Sequence, residues 1–282
     1  MSWLIAADSA CDLYHGDVGG PDVLFDTVPF IIQVEDRQYV DDESLDVEAM
    51  LADMEQTAAA SRTACPSPES WAQLFTQADH VVAVTISGNL SGSLNSALAA
   101  RHTVLEQHPD HQIAVIDSRA TGPETAMCIR HIADWIRDGL SISGIETKAW
   151  EFLQRCKTSF ALSSFDNLVK NGRMNKLIGF VARKLGMWGI GIGSDAGTIT
   201  MHGKSRGAAK ALSIMVEDMV QRGYMGGEAA ISHSQNEPMA LLLRQAIQAR
   251  WPGASVPIMK ARGLDSFYAE RGGLILGFLG KA

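Results

Sequence analysis

Residues 83–100, AVTISGNLSGSLNSALAA, decide how this chain reads. An apolar run that starts at His80 closes at Ile86, a loop of serines, glycines and one asparagine follows, and an alanine-rich helical pattern resumes near Gly92. A buried strand passing through a short polar loop into a helix is the unit of a parallel sheet with helices on both faces. The unit recurs around this stretch. SWLIAA (2–7), HVVAVTI (80–86) and QIAVIDS (112–118) read as buried strands, and the spacing predicts helices over 92–107 and 121–138. TVPFIIQV (27–34) and RQYVDD predict a hairpin about Glu35-Asp36. SLDVEAMLADMEQT (44–57) reads as an amphipathic helix capped by Ser44 or Asp46, and ASRTACPSPESWAQLF as a loop leading into a helix opened by Pro68.

After a helix over about 141–156 the rhythm changes. TSFALSS reads as a strand, and helical pieces run through Lys184. WGIGIGS and TITMHG flank the turn Asp195-Ala196-Gly197 as a hairpin. A helix over 205–222, the strand EAAISHS, a helix over 236–250, the strand SVPIMK and the apolar run LILGFL complete the chain. The expected architecture is α/β: a Rossmann-like parallel-sheet domain over 1–158 and an α+β domain over 159–282, packed closely because no low-complexity linker separates them.

With 282 residues, 46% hydrophobic and 20% charged, the chain can bury the cores of two domains. Its net charge of −8 and scattered basic residues argue against nucleic acid, whose phosphates need a concentrated basic stripe. MSWLIAADSACDL has no basic n-region, and no segment approaches the ~20 apolar residues of a membrane span, so a cytoplasmic protein is expected. The four cysteines, Cys11, Cys65, Cys128 and Cys156, form no C-x-x-C pair and read as free thiols.

Familiar catalytic motifs fail on context. GIGSDA (191–196) satisfies the dinucleotide pattern formally but leads into Gly197 and a strand, not a helix able to receive a pyrophosphate. GKS (203–205) lacks the earlier glycine of a phosphate loop, and there is no G-x-S-x-G or H-E-x-x-H. Asp8, at the end of a strand, suits a metal ligand, a general base or a cap for the next turn.

The hydroxyl loop remains. Ser87, Asn89, Ser91 and Ser93 lie between strand and helix, and free amides at a helix N-terminus attract anions. Gly88 and Gly92 would allow close backbone approach, while N-capping by Ser91 is the simpler structural role. SRTACPS (61–67) offers a second cluster, Thr63 and Ser67; two such loops on one sheet edge would grip a small acidic head.

ADSACDL (7–13), VPF (28–30), YVDD (39–42), TACPS (63–67), ISGNLSGSLNSA (86–97), VIDS (115–118), FDNLVKNGR (165–173) and KSRG (204–207) follow one another in order. Together they resemble the signature elements of the DegV family of bacterial fatty-acid-binding proteins, which includes the binding subunits of fatty acid kinase. The resemblance runs nearly end to end. It implies one long-chain fatty acid in an apolar tunnel between the domains, with no cofactor or metal besides that ligand. The family's carboxylate-holding threonine and serine match Thr63 and Ser91, and the resemblance implies that Gly92, Ser93 and Tyr268 complete the carboxylate-binding set. Tyr268, within SFYAERGGLILGF (266–278), falls where the family has a histidine; a phenol can donate a hydrogen bond but has no cationic form at mild pH. Cys65 replaces a glutamine beside the cradle. Arg173 and Arg206 match arginines that contact the kinase in kinase-coupled members, although Arg173 also ends a helical segment, where a cation suits the dipole.

The implied function is non-catalytic carriage of the fatty acid, presented to a fatty acid kinase catalytic subunit, with at most transient membrane contact. Phe180, Val181, Leu274, Leu276 and Phe278 are the expected tunnel walls. Two alternatives stay open: a nucleotide- or phosphate-binding enzyme using the Gly/Ser loop, and a regulatory module with a vestigial pocket.

Overall fold

The computed structural model describes residues 2–20, 22–57, 61–174 and 186–281. The chain runs through β1 (Trp3–Asp8), β2 (Val23–Val28), β3 (Ile31–Val34), β4 (Arg37–Val40), α1 (Val47–Gln56), β5 (Arg62–Ala64) and α2 (Pro68–Phe75). It continues through β6 (His80–Thr85), α3 (Ser93–Gln107), β7 (Gln112–Asp117), α4 (Pro123–Arg137) and α5 (Ile142–Arg155). The remainder is β8 (Cys156–Leu162), α6 (Asp166–Lys170), β9 (Met187–Gly193), β10 (Ile199–Arg206), α7 (Ala208–Gln221), β11 (Ala229–His233), α8 (Glu237–Arg250), β12 (Ile258–Lys260), α9 (Gly263–Ala269) and β13 (Leu274–Leu279).

The expected α/β architecture is present. Strands β2-β1-β6-β7 form a parallel sheet, and a mixed sheet has the order β10-β9-β8-β13-β11-β12. A small antiparallel sheet, β4-β3-β5, stands apart from both. The first sheet buries both faces, as its unbroken apolar strands require: Leu4 and Ala6 pack toward α2 and α3, while Ile5 and Ala7 pack toward α4 and α5. Helix α4 is wedged between the two large sheets, and every residue from Pro123 to Ile129 is buried.

Several local expectations need correction. TVPFIIQV is not one strand: Thr27 and Val28 end β2 beside β1, and β3 begins at Ile31. Pro29, with no N–H for a ladder, falls at the break. The hairpin about Glu35-Asp36 forms, with Glu35 in the left-handed region at φ 51. Thr63 lies on β5, not in a loop, paired with Ile32. Ser205 and Arg206 finish β10, and α7 starts only after Gly207, whose φ of 82 marks the break. Helix α9 was not foreseen. The caps follow side-chain chemistry: Asp46 accepts the amide of Ala49, and Ser67 that of Ser70 ahead of Pro68.

The wall assignment also changes. Phe180 and Val181 lie outside the described residues. Leu274, Leu276 and Phe278 point into the core beneath α7 and α8, whereas Ile275 faces the cavity, as the two-residue alternation of β13 dictates.

Candidate functional site

The loop of residues 86–93 uses most of its polar groups on its own fold. Ser87 donates its hydroxyl to the Gly197 carbonyl at 2.7 Å and accepts the Asn89 amide at 3.2 Å. Asn89 Nδ2 donates to the Ala196 carbonyl at 2.6 Å, so the loop is clamped onto the β9–β10 turn. Ser93, fully buried, donates its hydroxyl to Asp8 Oδ2 at 2.6 Å, and the Ile86 amide donates to the same oxygen at 3.0 Å. Asp8 makes no cap bond to the turn that follows it; it is the anchor of the hydroxyl loop. Burial pushes its carboxyl up to about 7, against the opposing hydrogen bonds from Ser93 and Ile86.

Ser91 is left. Its Oγ accepts the Ser93 amide at 3.2 Å, a turn bond one residue ahead of the cap, since Gly92 and not Ser91 is the N-cap of α3, and its own proton stays available on a cavity wall. The two glycines divide similarly. A Cβ at Gly88 would meet Leu94 Cδ2 at 2.7 Å, so Gly88 serves packing. A Cβ at Gly92 would lie 3.3 Å from Cys65 Sγ, which places the Ser91 turn against the segment carrying Thr63.

The cavity lies between the parallel and mixed sheets, with about 790 Å³ of space, part of it open to solvent. Phe30, Ile86, Leu90, Phe160, Leu162, Leu168, Ile199, Leu264 and Ile275 give it mostly apolar walls. Thr63, Ser91 and Tyr268 all line it, and the Thr63 and Tyr268 hydroxyls are hydrogen bonded at 3.0 Å. Ser67 instead caps α2. Arg173 lines the cavity and donates from Nε to the Leu90 carbonyl at 3.0 Å, whereas Arg206 is exposed at the end of β10 and takes no part in the wall.

Tyr268 is positioned from below by a buried ionic network that the sequence reading missed. Asp41 accepts the Gly263 amide at 2.7 Å and the Leu264 amide at 2.9 Å, receiving the first amides of α9, and the Ser9 hydroxyl at 2.7 Å. Arg262, 1% exposed, lies 3.7 Å from the Asp41 carboxylate and donates to the carbonyls of Leu13 and Asp41, both at 2.6 Å. Its backbone amide donates to Asp12 Oδ1 at 2.7 Å. Asp265, on the cavity wall, accepts the Thr121 hydroxyl at 2.7 Å. Its other oxygen and that of Asp12 converge on Gly122: a Cβ there would lie 2.6 Å from the one and 2.8 Å from the other. Burial raises both carboxyls, Asp12 to about 6 and Asp265 well above the usual range. Spacing hid this network because Asp12, Asp41 and Arg262 are distant in sequence; the visible signal was Asp12 in D-S-x-x-D, more than a loop needs.

Among the described residues, no group of three or more His, Cys, Asp or Glu could hold a metal ion, and no helix is long and apolar enough to cross a membrane.

An apolar cavity between a parallel and a mixed sheet, with hydroxyls from β5, the β6–α3 loop and α9 along its wall, defines a two-sheet α/β binding fold. The family model described as "Uncharacterised protein, DegV family" matches residues 2–272, and the chain belongs to the DegV family. A DegV domain-containing protein of Streptococcus pneumoniae is 40% identical over 278 residues, covering 99% of each chain. The crystal structure of the Streptococcus pneumoniae Fatty Acid Kinase (Fak) B3 protein loaded with linoleic acid matches with a TM-score of 0.96 at 40% identity, covering 100% of both chains. A DegV family protein from Eubacterium eligens loaded with heptadecanoic acid matches with a TM-score of 0.94 at 35% identity, covering 99% of this chain and 100% of that one.

Proposed function

We propose that this protein is a non-catalytic carrier of one long-chain fatty acid, with the carboxylate on the hydroxyls of Thr63, Ser91 and Tyr268 and the acyl chain in the apolar cavity. The observation that carries the reading is the cavity itself: mostly apolar walls, with Thr63 and Tyr268 hydrogen bonded to each other and Ser91 on the same surface. The fatty acids named in the two solved relatives support it. Each charge-assisted hydrogen bond contributes roughly 1.5–3 kcal/mol and each buried methylene about 0.8 kcal/mol, so the chain supplies affinity and the head sets orientation. Gly92 brings the Ser91 turn against Cys65, and Ser93 holds that turn on Asp8.

The carrier presents its ligand to a separate fatty acid kinase subunit, with Arg173 at the cavity and exposed Arg206 as contact points. The kinase-system name of the pneumococcal relative supports this step. Mass spectrometry of organic extracts from freshly purified protein tests the reading, wild type beside Thr63→Ala/Ser91→Ala. A near-stoichiometric fatty acid in the wild type, depleted in the double variant, is expected. Lipid-free wild type that gains no thermal stability from added fatty acids would overturn it.

A further inference from the structure

A second cavity, of about 930 Å³ and also partly open to solvent, adjoins the first. Arg119, Ala120, Thr158 and Gly193 line both, so they form the partition. Behind it, on the wall of the second cavity, stands Glu124, in the first turn of α4, fully buried, with no hydrogen-bond partner placed on either carboxyl oxygen; Thr158 is the one of the pair that also faces the first cavity. Burial pushes its carboxyl up to about 8, and the nearby Thr158 hydroxyl and Arg222 oppose that rise only in part. A carboxyl that is neutral at pH 7 both donates and accepts.

Glu124 reaches this place because Gly277 has no side chain. Gly277 is the register partner of Thr158 across β13 and β8, and a Cβ on it would lie 2.8 Å from Glu124 Cγ and 2.9 Å from its carboxyl carbon. Glu124 therefore occupies the space a side chain at 277 would take, beside Thr158. Gly193 does the same on the other flank, where a Cβ would lie 2.8 Å from Thr158 Oγ1. Gly193 thus clears room around the Thr158 hydroxyl and Gly277 clears room around the Glu124 carboxyl, so the two polar groups stand side by side in space that side chains would otherwise fill.

The position along the cavity follows from β8. Thr158, Phe160 and Leu162 all line it. The Leu162 end packs in the cluster that holds Tyr268. Thr158 stands four residues away, about 13 Å at ~3.3 Å per residue. An extended chain covers that in roughly ten to twelve bonds, since three backbone bonds span about 3.3–3.6 Å.

We propose that Glu124 and Thr158 form a second polar subsite, which recognises a hydrogen-bonding oxygen midway along the acyl chain, so that the preferred ligands include mid-chain hydroxy fatty acids. This rests on the carrier reading above and names its ligand class. An unpartnered buried carboxyl is costly to keep, and a ligand hydroxyl would give it a partner.

Competition binding with 12-hydroxyoctadecanoic, 2-hydroxyoctadecanoic and octadecanoic acids tests the proposal, using wild type, Glu124→Met and Glu124→Gln. The wild type is expected to favour the 12-hydroxy acid over octadecanoic acid on the order of ten-fold, with no such gain for the 2-hydroxy isomer. Glu124→Met, which removes the polar group at similar volume, should bring that ratio near one, and Glu124→Gln should retain most of it. A wild-type ratio of one with normal octadecanoate binding overturns the subsite alone. An unchanged ratio in Glu124→Met does the same. Wild type that binds none of the three acids overturns the carrier reading and the subsite with it.

Discussion

Replacing Glu124 by glutamine should flatten the loss of stability that accompanies a rise in pH from 5 to 8. The folded protein holds this carboxyl at about 8, against an ordinary value of 4.5, because burial penalises the charge. The native state therefore keeps a proton that the unfolded chain releases. The stabilisation is fully present below about pH 4.5 and is lost as pH rises through about 8. Within that window each pH unit is worth about 1.4 kcal/mol for one proton, so the interval from 5 to 8 costs the wild type at most about 3–4 kcal/mol at this site. Asp8 and Asp12 shift stability in the same direction, but both proteins carry them and they cancel in the difference. Urea unfolding at pH 5, 6.5 and 8, with midpoints and slopes compared between Glu124→Gln and wild type, reads the effect directly. The variant should gain on the wild type steadily as pH rises. Parallel profiles would mean that Glu124 is ionised or reached by water in the folded state, and the account of its neutral carboxyl would fail.

Ser91→Ala and Thr63→Val should each weaken fatty-acid binding roughly ten- to a hundred-fold, read by fluorescence competition, with unfolding midpoints close to wild type. Gly277→Ala should lose about 1–3 kcal/mol in thermal unfolding, because its new methyl group would overlap Glu124, whose Cγ lies 2.8 Å from that position. Arg262→Met should cost about 3–5 kcal/mol in urea unfolding, since it strands the buried Asp41 carboxylate. Tyr268→His should introduce a dependence of affinity on pH between about 5.5 and 7.5 that wild type measured alongside lacks, with binding stronger on the acid side.

The parallel sheet was legible because its strands are buried on both faces and read as unbroken apolar runs between helical repeats. The strand–loop–helix at 83–100 was legible for the same reason, and its serines and glycines marked where the sheet opens. Three features were not. Thr63 sits on a three-residue strand too short to show a period, and only pairing with β3 makes it a strand. Helix α9 has seven residues, all but one of them buried, so it carries no amphipathic stripe; Asp41 and Arg262, remote in sequence, hold it in place. The face of β13 was misassigned because LILGFL is apolar at every position but one, and pattern cannot say which side meets the cavity when both are buried.

The same contrast explains what the hydroxyl loop is for. Of its four polar side chains, Ser87 and Asn89 fasten the β9–β10 turn and Ser93 fastens the loop to Asp8, so Ser91 alone is free to face a ligand. Buried carboxylates underlie both arms of the cradle: Asp8 beneath the Ser91 turn, Asp41 beneath the helix that carries Tyr268. Asp41 spends both oxygens on backbone amides and the Ser9 hydroxyl, and Asp8 spends one oxygen on the Ile86 amide and the Ser93 hydroxyl, so the side chains at the proposed head site are neutral donors on fixed supports. Neutral donors orient a carboxylate without cancelling its charge. A fatty acid bound this way would be held by its chain and aimed by its head, with the negative oxygens still available to an electrophile or cation brought to the cavity, whose wall already includes Arg173.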